Sequence, residues 1–327
     1  MISKNRTLKQ VITELSTYLN QQVIGQSSLV SHLLIALLAD GHLLVEGAPG
    51  LAKTRAVNVL AKAIEGDFHR IQFTPDLLPA DITGTEIFHP QTGDFTFQPG
   101  PLFHHLILAD EINRAPAKVQ SALLEAMGER QITIGKITYP LPKLFLVMAT
   151  QNPIEHEGTY SLPEAQLDRF LMYVKIKHPN SNAERLILHL ARHEALHPFS
   201  EQTFYSPLIT QEEIFAARRE ILNIHLSEAL ENYIIHIIMA TRNPGPYNLN
   251  LLPLIHFGVS PRGTISLERC ARAHAWLNGR DYVSPQDIHT VVHDVLRHRI
   301  LLTYEARAEG ITTDKIIDDL LTVIPVP

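Results

Sequence analysis

The sequence has little cysteine and no long hydrophobic run. Its 327 residues include a single cysteine, Cys270, and a single tryptophan. One cysteine excludes an internal disulfide framework and is typical of a reducing compartment, so we expect a cytoplasmic protein. The most apolar stretch, residues 29–45, is interrupted by His32 and His42. Because no segment reaches the roughly 20 apolar residues of a spanning helix, we expect no membrane segment, and residues 1–11 lack the apolar core of a signal peptide.

Charge of either sign is also modest. The 28 lysine and arginine residues oppose 34 acidic residues, which gives a formal net charge of -6. A mildly acidic chain is a poor candidate for non-specific binding to DNA or RNA, so we expect no nucleic-acid partner. Hydrophobic residues make up 45% of the chain, which is typical of a globular protein rather than a disordered one.

Short apolar runs alternate with helical segments in the first half of the chain. This alternation predicts an α/β fold with a parallel sheet and helices on both faces. The runs are bounded by polar residues or by Gly and Pro, and they predict buried strands at residues 42–46, 70–73, 105–109, 144–149 and 171–176. Helices are predicted between them at residues 53–64 and 116–127.

Two stretches depart from this alternation, and each is predicted to form a β-hairpin. They are residues 83–103 and residues 131–142. Phe88, Phe95 and Phe97 lie in the first stretch, where they either contact another molecule or pack against the sheet.

The second half of the chain is predicted to be helical. A turn cluster at residues 178–182 marks the change, so we expect one domain over residues 1–178 and another over residues 179–327. Helices are predicted at residues 183–194, 211–221, 227–240, 262–278, 285–300 and 311–321. Cys270 has apolar neighbours at helical spacing, so we expect it in the core.

A glycine-bearing loop joins the first predicted strand to the helix that follows. Its residues are Gly47, Ala48, Pro49, Gly50, Leu51, Ala52, Lys53 and Thr54. Such a loop can wrap a polyphosphate with its backbone N–H groups, and the helix N-terminus adds positive potential. We expect Lys53 to reach the β and γ phosphates and Thr54 to hold Mg²⁺. Ala52 stands where glycine is usual, and its N–H keeps the phosphate contact if the residue has helical φ and ψ. The alternative is a plain turn that leads into a helix.

Two carboxylates, those of Asp110 and Glu111, follow the apolar strand at residues 105–109. In a doubly wound sheet, ligands bind at the carboxyl ends of the strands. Asp110 is then expected to face the metal held by Thr54, and Glu111 to orient and deprotonate an attacking water. The alternative is an ordinary acidic strand end. Because the loop and the carboxylates predict the same ligand independently, each strengthens the other.

Three further side chains are candidates for contacts with a transferring phosphate. Asn152 follows the strand at residues 144–149, although an ordinary Asn-Pro turn explains it better on its own. Arg169 either supplies positive charge to a phosphate bound by a neighbouring subunit or pairs with a nearby acid. Arg262 is expected in the first turn of a helix, where the macrodipole disfavours a cation, and this indicates a partner anion.

Taken in order, these segments resemble the MoxR family of AAA+ ATPases. The resemblance covers about residues 10–325 and rests on the phosphate loop and on residues 108–131, 149–170 and 259–263. It implies a P-loop NTPase fold with a five-stranded parallel sheet in the order 5-1-4-3-2. Residues 83–103 then match the insert within the second helix, residues 131–142 match the hairpin before the first sensor, and an all-helical lid follows.

The resemblance also implies ligands and roles. It implies ATP and Mg²⁺ as cofactors, with the metal at Thr54 and Asp110. Residues 23–26 are similar to the segment that lines the adenine pocket, which implies adenine contacts for Ile24 and Gly25. The roles it implies for catalysis are those of Glu111 as base, Asn152 as first sensor, Arg169 as a finger acting on a neighbouring subunit, and Arg262 as second sensor.

Partners follow from the same resemblance. Family members form hexameric rings and act as chaperone-like ATPases that remodel protein clients. They often work beside proteins with von Willebrand factor A (VWA) domains, and such a domain is not recognisable in this sequence. We therefore expect a homo-oligomer, a separate VWA-domain partner and an unidentified protein client.

Other functions stay open at the level of sequence. The same fold can drive metal insertion into a tetrapyrrole, as in the small magnesium-chelatase subunit, power a DNA motor of the minichromosome-maintenance type, or serve as a scaffold without turnover. The net charge disfavours the DNA motor. A literal H-E-x-x-H, with His193, Glu194 and His197, would suit a zinc peptidase. Because Pro198 follows at once, we favour a solvated helix end for that motif.

Overall fold

The chain is divided into two compact units. The computed structural model describes residues 6–153, 159–196, 207–247, 251 and 253–327. The first unit contains residues 1–34, 42–162 and 174–214, and the second contains residues 35–41, 163–173 and 215–327. The predicted boundary at residue 178 would divide the chain only once. The second unit, however, also includes residues 35–41 and 163–173, which lie in sequence between segments of the first. The boundary at residue 178 stays a prediction.

Over the described residues, the strands form one larger sheet and three two-stranded ones. They are β1 (Leu43–Glu46), β2 (Phe68–Gln72), β3 (Gly84–His89), β4 (Asp94–Pro99), β5 (Leu106–Asp110), β6 (Gln131–Ile134), β7 (Ile137–Pro140), β8 (Leu146–Gln151), β9 (Met172–Lys175), β10 (Ile255–Phe257) and β11 (Leu301–Leu302). The larger sheet has the order β2-β5-β8-β1-β9. If these five strands are numbered 1 to 5 along the chain and the sheet is read from the β9 edge, their order is 5-1-4-3-2. The predicted strand order is therefore confirmed.

The central strands explain why the sequence contains near-continuous apolar runs. β5 is buried over its whole length, and β8 is buried over its first five residues. A strand in the middle of a parallel sheet has both faces covered, so its sequence does not alternate. β2 lies at the sheet edge, and its polar side chains Arg70 and Gln72 are exposed. Polar residues that follow β5 and β8 therefore meet at one edge of the sheet.

Every predicted helix is present, together with several others. The helices are α1 (Leu8–Gln22), α2 (Ser27–Leu38), α3 (Lys53–Ala63), α4 (Pro79–Thr83), α5 (Ala117–Glu129), α6 (Glu164–Leu167), α7 (Ser181–Leu196), α8 (Gln211–Leu222), α9 (Glu228–Arg242), α10 (Pro261–Leu277), α11 (Pro285–Leu296), α12 (Tyr304–Ala308) and α13 (Thr313–Val323). The predicted helices are α3, α5, α7, α8, α9, α10, α11 and α13, whereas α1, α2 and the short α4, α6 and α12 were not predicted. Within the described part of the chain, none of them combines the length and apolar character needed to cross a bilayer. Cys270, on α10, is fully buried as expected.

The predicted helical second half is confirmed apart from one short pair of strands. α11 ends at Leu296, before the predicted end at residue 300, and the chain then enters β11. β11 pairs antiparallel with β10, which precedes α10. The two strands lie in connections between helices that are far apart in sequence. They were not predicted because strands of two or three residues are too short to show a periodic pattern.

Both predicted hairpins are present, and they contact each other. β3 pairs with β4, and β6 pairs with β7. Phe88 and Phe95 face each other across the first hairpin and are 50% and 64% exposed, so they do not pack against the sheet. The ring of Phe97 instead stacks on Tyr139 of the second hairpin at a centroid distance of 4.1 Å.

Candidate functional site

The carboxyl edge of the larger sheet gathers an acidic pair around one buried hydroxyl. Asp110 ends β5, Glu111 follows it, and Thr150 lies on the neighbouring β8. The Oγ1 of Thr150 donates to Asp110 Oδ1 at 2.6 Å and accepts from the N–H of Glu111 at 2.9 Å. A single threonine therefore holds both acidic residues against β8. It is a partner that sequence reasoning did not assign.

Two polar residues of the edge strand β2 bind the same carboxylates. Arg70 donates to Asp110 Oδ2 from Nη2 at 2.6 Å and from Nε at 3.1 Å. Gln72 donates to Glu111 Oε2 at 2.9 Å, and its own Oε1 accepts from Arg70 at 2.9 Å. Alternate residues of a strand share a face, and the pairing of β2 with β5 places both side chains beside the carboxylates. The only sequence signal for this pair is that Arg70 and Gln72 are two residues apart on a predicted strand. Sequence reasoning missed the pair because this spacing is informative only once β2 is known to lie beside β5.

Glu111 is held in an unusual backbone conformation. Its φ of 57° and ψ of 51° lie in the left-handed region, and a 3₁₀ turn at Ile112–Arg114 follows. That turn brings Arg114 Nη1 to 3.1 Å from Glu111 Oε2. A non-glycine residue in this region typically costs about 1–3 kcal/mol, and such strain is concentrated at functional sites. The observed geometry therefore marks Glu111 as a candidate functional residue independently of its sequence motif.

The glycine-bearing loop also contains a strained residue. Ala52 has φ 60° and ψ 19°, immediately before α3 begins at Lys53. The condition placed on Ala52, right-handed helical φ and ψ, is therefore not met. This conformation is the one that glycine ordinarily provides, and an L-residue there costs about 1–2 kcal/mol. Gly50, with φ 81°, makes the preceding part of the turn.

Lys53 lies within electrostatic range of three carboxylates. Its Nζ donates to the carbonyl of Gly47 at 2.6 Å, across the loop. Burial lowers the pKa of Lys53, while the charges of Asp110, Glu111 and Glu46 act against that shift. The loop lysine and the strand-end acids therefore belong to one site, although 57 residues separate Lys53 from Asp110.

The donor groups at this edge fit a polyphosphate with Mg²⁺. No side chain of the described residues caps the N-terminus of α3, and its first turn contains no acidic residue. The N–H groups and the positive end of the dipole are thus available to an anion. The carboxylate of Asp110 and the hydroxyl of Thr54 supply the oxygen ligands that Mg²⁺ prefers.

Three other predicted contacts lie in the first unit. Asn152 is buried directly after β8, the strand beside β5. Ile24 and Gly25 lie in the connection from α1 to α2, where Gly25 has φ 77° and lies close to Pro179 and Ala183. A methyl group at Gly25 would come within 2.9 Å of Ala183, which explains a glycine at this point.

The second unit contains the two candidate arginines. Arg169 is half-buried just after α6, and Arg262 lies in the first turn of α10, where the sequence predicts it. The side chain of Arg262 is 60% exposed, and its Nη1 is 3.9 Å from Asp168 Oδ2. Asp168 in turn binds Arg299, which sequence reasoning missed because 131 residues separate the pair.

The H-E-x-x-H motif has a different local explanation. Glu194 Oε1 forms an ion pair with Arg55 of α3 at 2.6 Å, and His197 lies outside the described residues. Over the ranges that the structure describes, no group of three or more His, Cys, Asp and Glu side chains is arranged to hold a metal ion. The carboxylate needed as a base by a peptidase is here part of an ion pair.

Comparison with known proteins gives consistent matches along the chain. The sequence profile of the ATPase family associated with various cellular activities (AAA) matches residues 42–172, and the profile of the AAA lid domain matches residues 253–320. Chaperone MoxR1 of Mycobacterium tuberculosis is 45% identical over 98% of this chain and 82% of its own length. Protein YeaC of Bacillus subtilis, which is uncharacterized, is 44% identical over 95% of this chain and 93% of its own.

A solved structure agrees with these matches. The crystal structure of a protein from Cytophaga hutchinsonii, described as a candidate ATPase, has a TM-score of 0.89 and 47% identity, and the match covers 98% of this chain and 96% of that one. The chloroplast magnesium-chelatase subunit ChlI-2 of Arabidopsis thaliana is more distant, at 26% identity over 62% of this chain and 46% of its own. Because the identity to Chaperone MoxR1 extends over nearly the whole chain, this protein belongs to the MoxR family of AAA ATPases.

Proposed function

We propose that this protein hydrolyses ATP to ADP and phosphate and that it acts as a chaperone-type machine on partner proteins. The observation that carries the proposal is the electrostatic proximity of Lys53 to Asp110 and Glu111. Phosphoryl transfer from a magnesium-bound nucleotide needs a cation at the phosphates, a ligand for the metal and a group that orients water. These three side chains meet that need at one sheet edge.

In this proposal the loop and its flanking residues bind the nucleotide. The backbone N–H groups of residues 47, 48 and 50–53 surround the phosphates, and Lys53 neutralises charge on them. Ile24 and Gly25 contact the adenine. Thr54 and Asp110 hold Mg²⁺, which supplies further positive charge for the phosphates.

The chemical step is assigned to Glu111. Its carboxylate orients the attacking water and accepts a proton from it. The hydrogen bonds from Gln72 and Arg114 fix the carboxylate in place before the water arrives. Asn152 binds the γ-phosphate or the water from the neighbouring strand, and Arg262 responds to the nucleotide from the lid.

Activity is proposed to depend on assembly. Arg169 reaches the nucleotide of a neighbouring subunit, so a homo-oligomer, and in this family a hexameric ring, is the active form. The proposed partners are a VWA-domain protein and a protein client in the cytoplasm. The exposed pair Phe88 and Phe95 offers an apolar aromatic surface suited to such a client.

Replacement of the proposed base tests the ATPase assignment. Glu111→Gln is expected to bind ATP but to lower turnover by about 10²–10⁴-fold, the usual contribution of a general base. Glu125→Gln, the same change at an exposed position of α5, serves as the control. Calorimetry measures ATP binding, and phosphate release measures turnover. Full turnover by Glu111→Gln would show that the base is a different residue. In the same assays, Lys53→Ala is expected to lose ATP binding.

The same experiment addresses the rival functions. A scaffold without turnover would show binding but no phosphate release in the unmodified protein. The relationship to magnesium chelatase is distant, and the formal net charge of -6 disfavours a DNA motor. The chaperone-type ATPase therefore stands as the proposed function.

A further inference from the structure

Three consecutive side chains of the second unit bind the backbone of the segment that contains Arg169. These side chains follow α11 directly. The bonds run from Arg297 Nη1 to the carbonyl of Tyr173 at 2.6 Å, from His298 Nε2 to that of Phe170 at 3.2 Å, and from Arg299 to those of Phe170, Leu171 and Asp168 at 2.7, 3.2 and 3.4 Å. The bound carbonyls lie on both sides of residue 169, so the backbone there is fixed from both directions.

Arg299 is the centre of this arrangement. Its side chain is only 2% exposed, and its Nε donates to Asp168 Oδ1 at 2.9 Å. Its Nη2 also donates to Ser266 Oγ on α10 at 3.2 Å. Burial lowers the pKa of Arg299, and the carboxylate of Asp168 acts against that shift. A buried guanidinium with its donors directed at fixed acceptors has little freedom to move.

The second carboxylate oxygen of Asp168 is connected to the other candidate arginine, Arg262, through Ser260. Ser260 Oγ donates to Asp168 Oδ2 at 2.9 Å, and the same hydroxyl accepts from the N–H of Arg262 at 3.2 Å as the N-cap of α10. Arg262 Nη1 lies 3.9 Å from that oxygen. One carboxylate therefore connects the residue next to Arg169 with the helix turn that contains Arg262.

We propose that Asp168, Ser260 and Arg299 are positioning residues that fix Arg169 relative to Arg262 within one subunit. This inference rests on the proposed function, in which Arg262 responds to the subunit's own nucleotide and Arg169 acts on that of a neighbour. The finger segment is then held to the start of α10 by the hydrogen bond between Ser260 and Asp168. The nucleotide state of one subunit thereby sets the position of the arginine that it presents to the next.

Complementation between two inactive variants isolates this role. Arg169→Ala subunits have an intact base but no finger, and Glu111→Gln subunits have a finger but no base. A mixed assembly therefore regains turnover only where a Glu111→Gln subunit presents its Arg169 to the nucleotide of an Arg169→Ala subunit. Ser260→Ala is added to the Glu111→Gln subunit, which performs no chemistry of its own. At saturating ATP, the regained turnover is expected to fall about tenfold or more, since a displacement of about 1 Å can cost 10²-fold in rate.

The controls separate positioning from loss of structure. Ser227→Ala removes the equivalent N-cap hydroxyl of α9 and is expected to leave complementation unchanged, with a similar fall in the thermal midpoint. Ser260→Thr retains a hydroxyl and is expected to restore complementation. Size-exclusion chromatography verifies that each subunit enters mixed assemblies, and calorimetry verifies its ATP binding. Asp168→Asn provides a second variant that weakens the bond to Arg299 without removing volume.

The possible results have distinct meanings. Absence of any complementation between Arg169→Ala and Glu111→Gln would overturn the assignment of Arg169 as a finger, and the inference with it. Complementation that is equally strong with Ser260→Ala and with Ser227→Ala would leave the proposed function standing and overturn only the positioning role. A selective loss with Ser260→Ala, reversed by Ser260→Thr, is the result that supports it.

Discussion

Both compact units contain an aspartate bound by an arginine, and the two ion pairs differ in their surroundings. Asp110 pairs with Arg70, whose side chain is 48% exposed, at the edge of the larger sheet. Asp168 pairs with Arg299, which is buried and also binds several backbone carbonyls. The residue types are the same, but the first arginine borders solvent and the second is enclosed by protein.

The difference shows that burial, rather than the ion pair itself, decides what such a pair contributes. Arg70 is half exposed and keeps part of its hydration, and the buried Asp110 retains its hydrogen bond from Thr150, so Asp110 can exchange Arg70 for a metal ion at a cost of about 1 kcal/mol. Loss of one partner from a buried pair leaves an uncompensated charge and costs about 3–5 kcal/mol. The first pair is therefore suited to exchange during a reaction, and the second is suited to hold a segment in place.

The largest expected effect tests this contrast directly. Arg299→Met is expected to lower the free energy of unfolding of its unit by about 3–5 kcal/mol, because Asp168 and several carbonyls lose their donor. Arg70→Met, the same substitution in the pair whose arginine is half exposed, is expected to lower the free energy of unfolding of the first unit by only about 1 kcal/mol, because Asp110 keeps its hydrogen bond from Thr150. Urea denaturation followed by fluorescence and circular dichroism measures both. Equal losses for the two variants would refute the contrast.

Asp287, a fully buried aspartate of the second unit, extends the contrast to pH. Burial by itself raises the pKa of Asp287, but hydrogen bonds from Arg280, His274 and Ser284 outweigh it and hold the pKa well below its ordinary value. The ionised form is thus favoured in the folded state. This stabilisation is fully present above the unfolded pKa of about 3.9 and is lost as the pH falls through the lower, folded pKa.

Replacement of Asp287 checks that expectation. Asp287→Asn is expected to lower the free energy of unfolding at pH 7 by about 1.5–3 kcal/mol, the range for hydrogen bonds to a charged group. The loss of stability between pH 4 and pH 2 is expected to become smaller in the variant, as measured by thermal unfolding at each pH. Asp281→Asn, at a nearby exposed position, is the control. An unchanged pH dependence would contradict the assignment.

A smaller effect is expected when the exchangeable arginine is removed. In Arg70→Gln, the arginine no longer competes with Mg²⁺ for Asp110, so half-maximal nucleotide binding is expected at an Mg²⁺ concentration about two- to fivefold lower. Fluorescent-nucleotide titrations at a series of Mg²⁺ concentrations measure the shift. Lys118→Gln removes the same charge from an exposed site on α5 and is expected to leave the midpoint unchanged. A higher Mg²⁺ requirement in Arg70→Gln would mean that Arg70 assists the metal rather than competing with it.

An effect of the same size is expected at Gln72, the neighbour of Arg70 on the same face of β2. Gln72→Ala removes one neutral donor from Glu111, which Arg114 continues to hold, so kcat is expected to fall about two- to fivefold, equivalent to a hydrogen bond of about 1 kcal/mol. ATP affinity, measured by calorimetry, is expected to stay the same. A loss of ATP affinity without a change in kcat would show that Gln72 contributes to nucleotide binding rather than to the orientation of water.

The sequence by itself determined the fold class, the order of the five parallel strands through its family resemblance, and both hairpins. It also identified the residues of the phosphate loop and of the acidic strand end as candidates. These features are local: an apolar run, a glycine-bearing turn or two consecutive acids are each contained in a few neighbouring residues. Local periodicity and turn chemistry act over the same few residues, so a single sequence is sufficient to predict them.

Only the tertiary structure decided which side chains hold those candidates. Arg70 and Thr150 meet Asp110 because β2 and β8 flank β5, and Arg299 reaches Asp168 because the chain returns after 131 residues. The left-handed conformation of Ala52, contrary to the condition set for it, also comes from the folded loop. Such contacts depend on strand order and helix packing, and sequence neighbours do not specify them. Burial has the same origin, so only the structure distinguishes an exchangeable arginine from a permanent one.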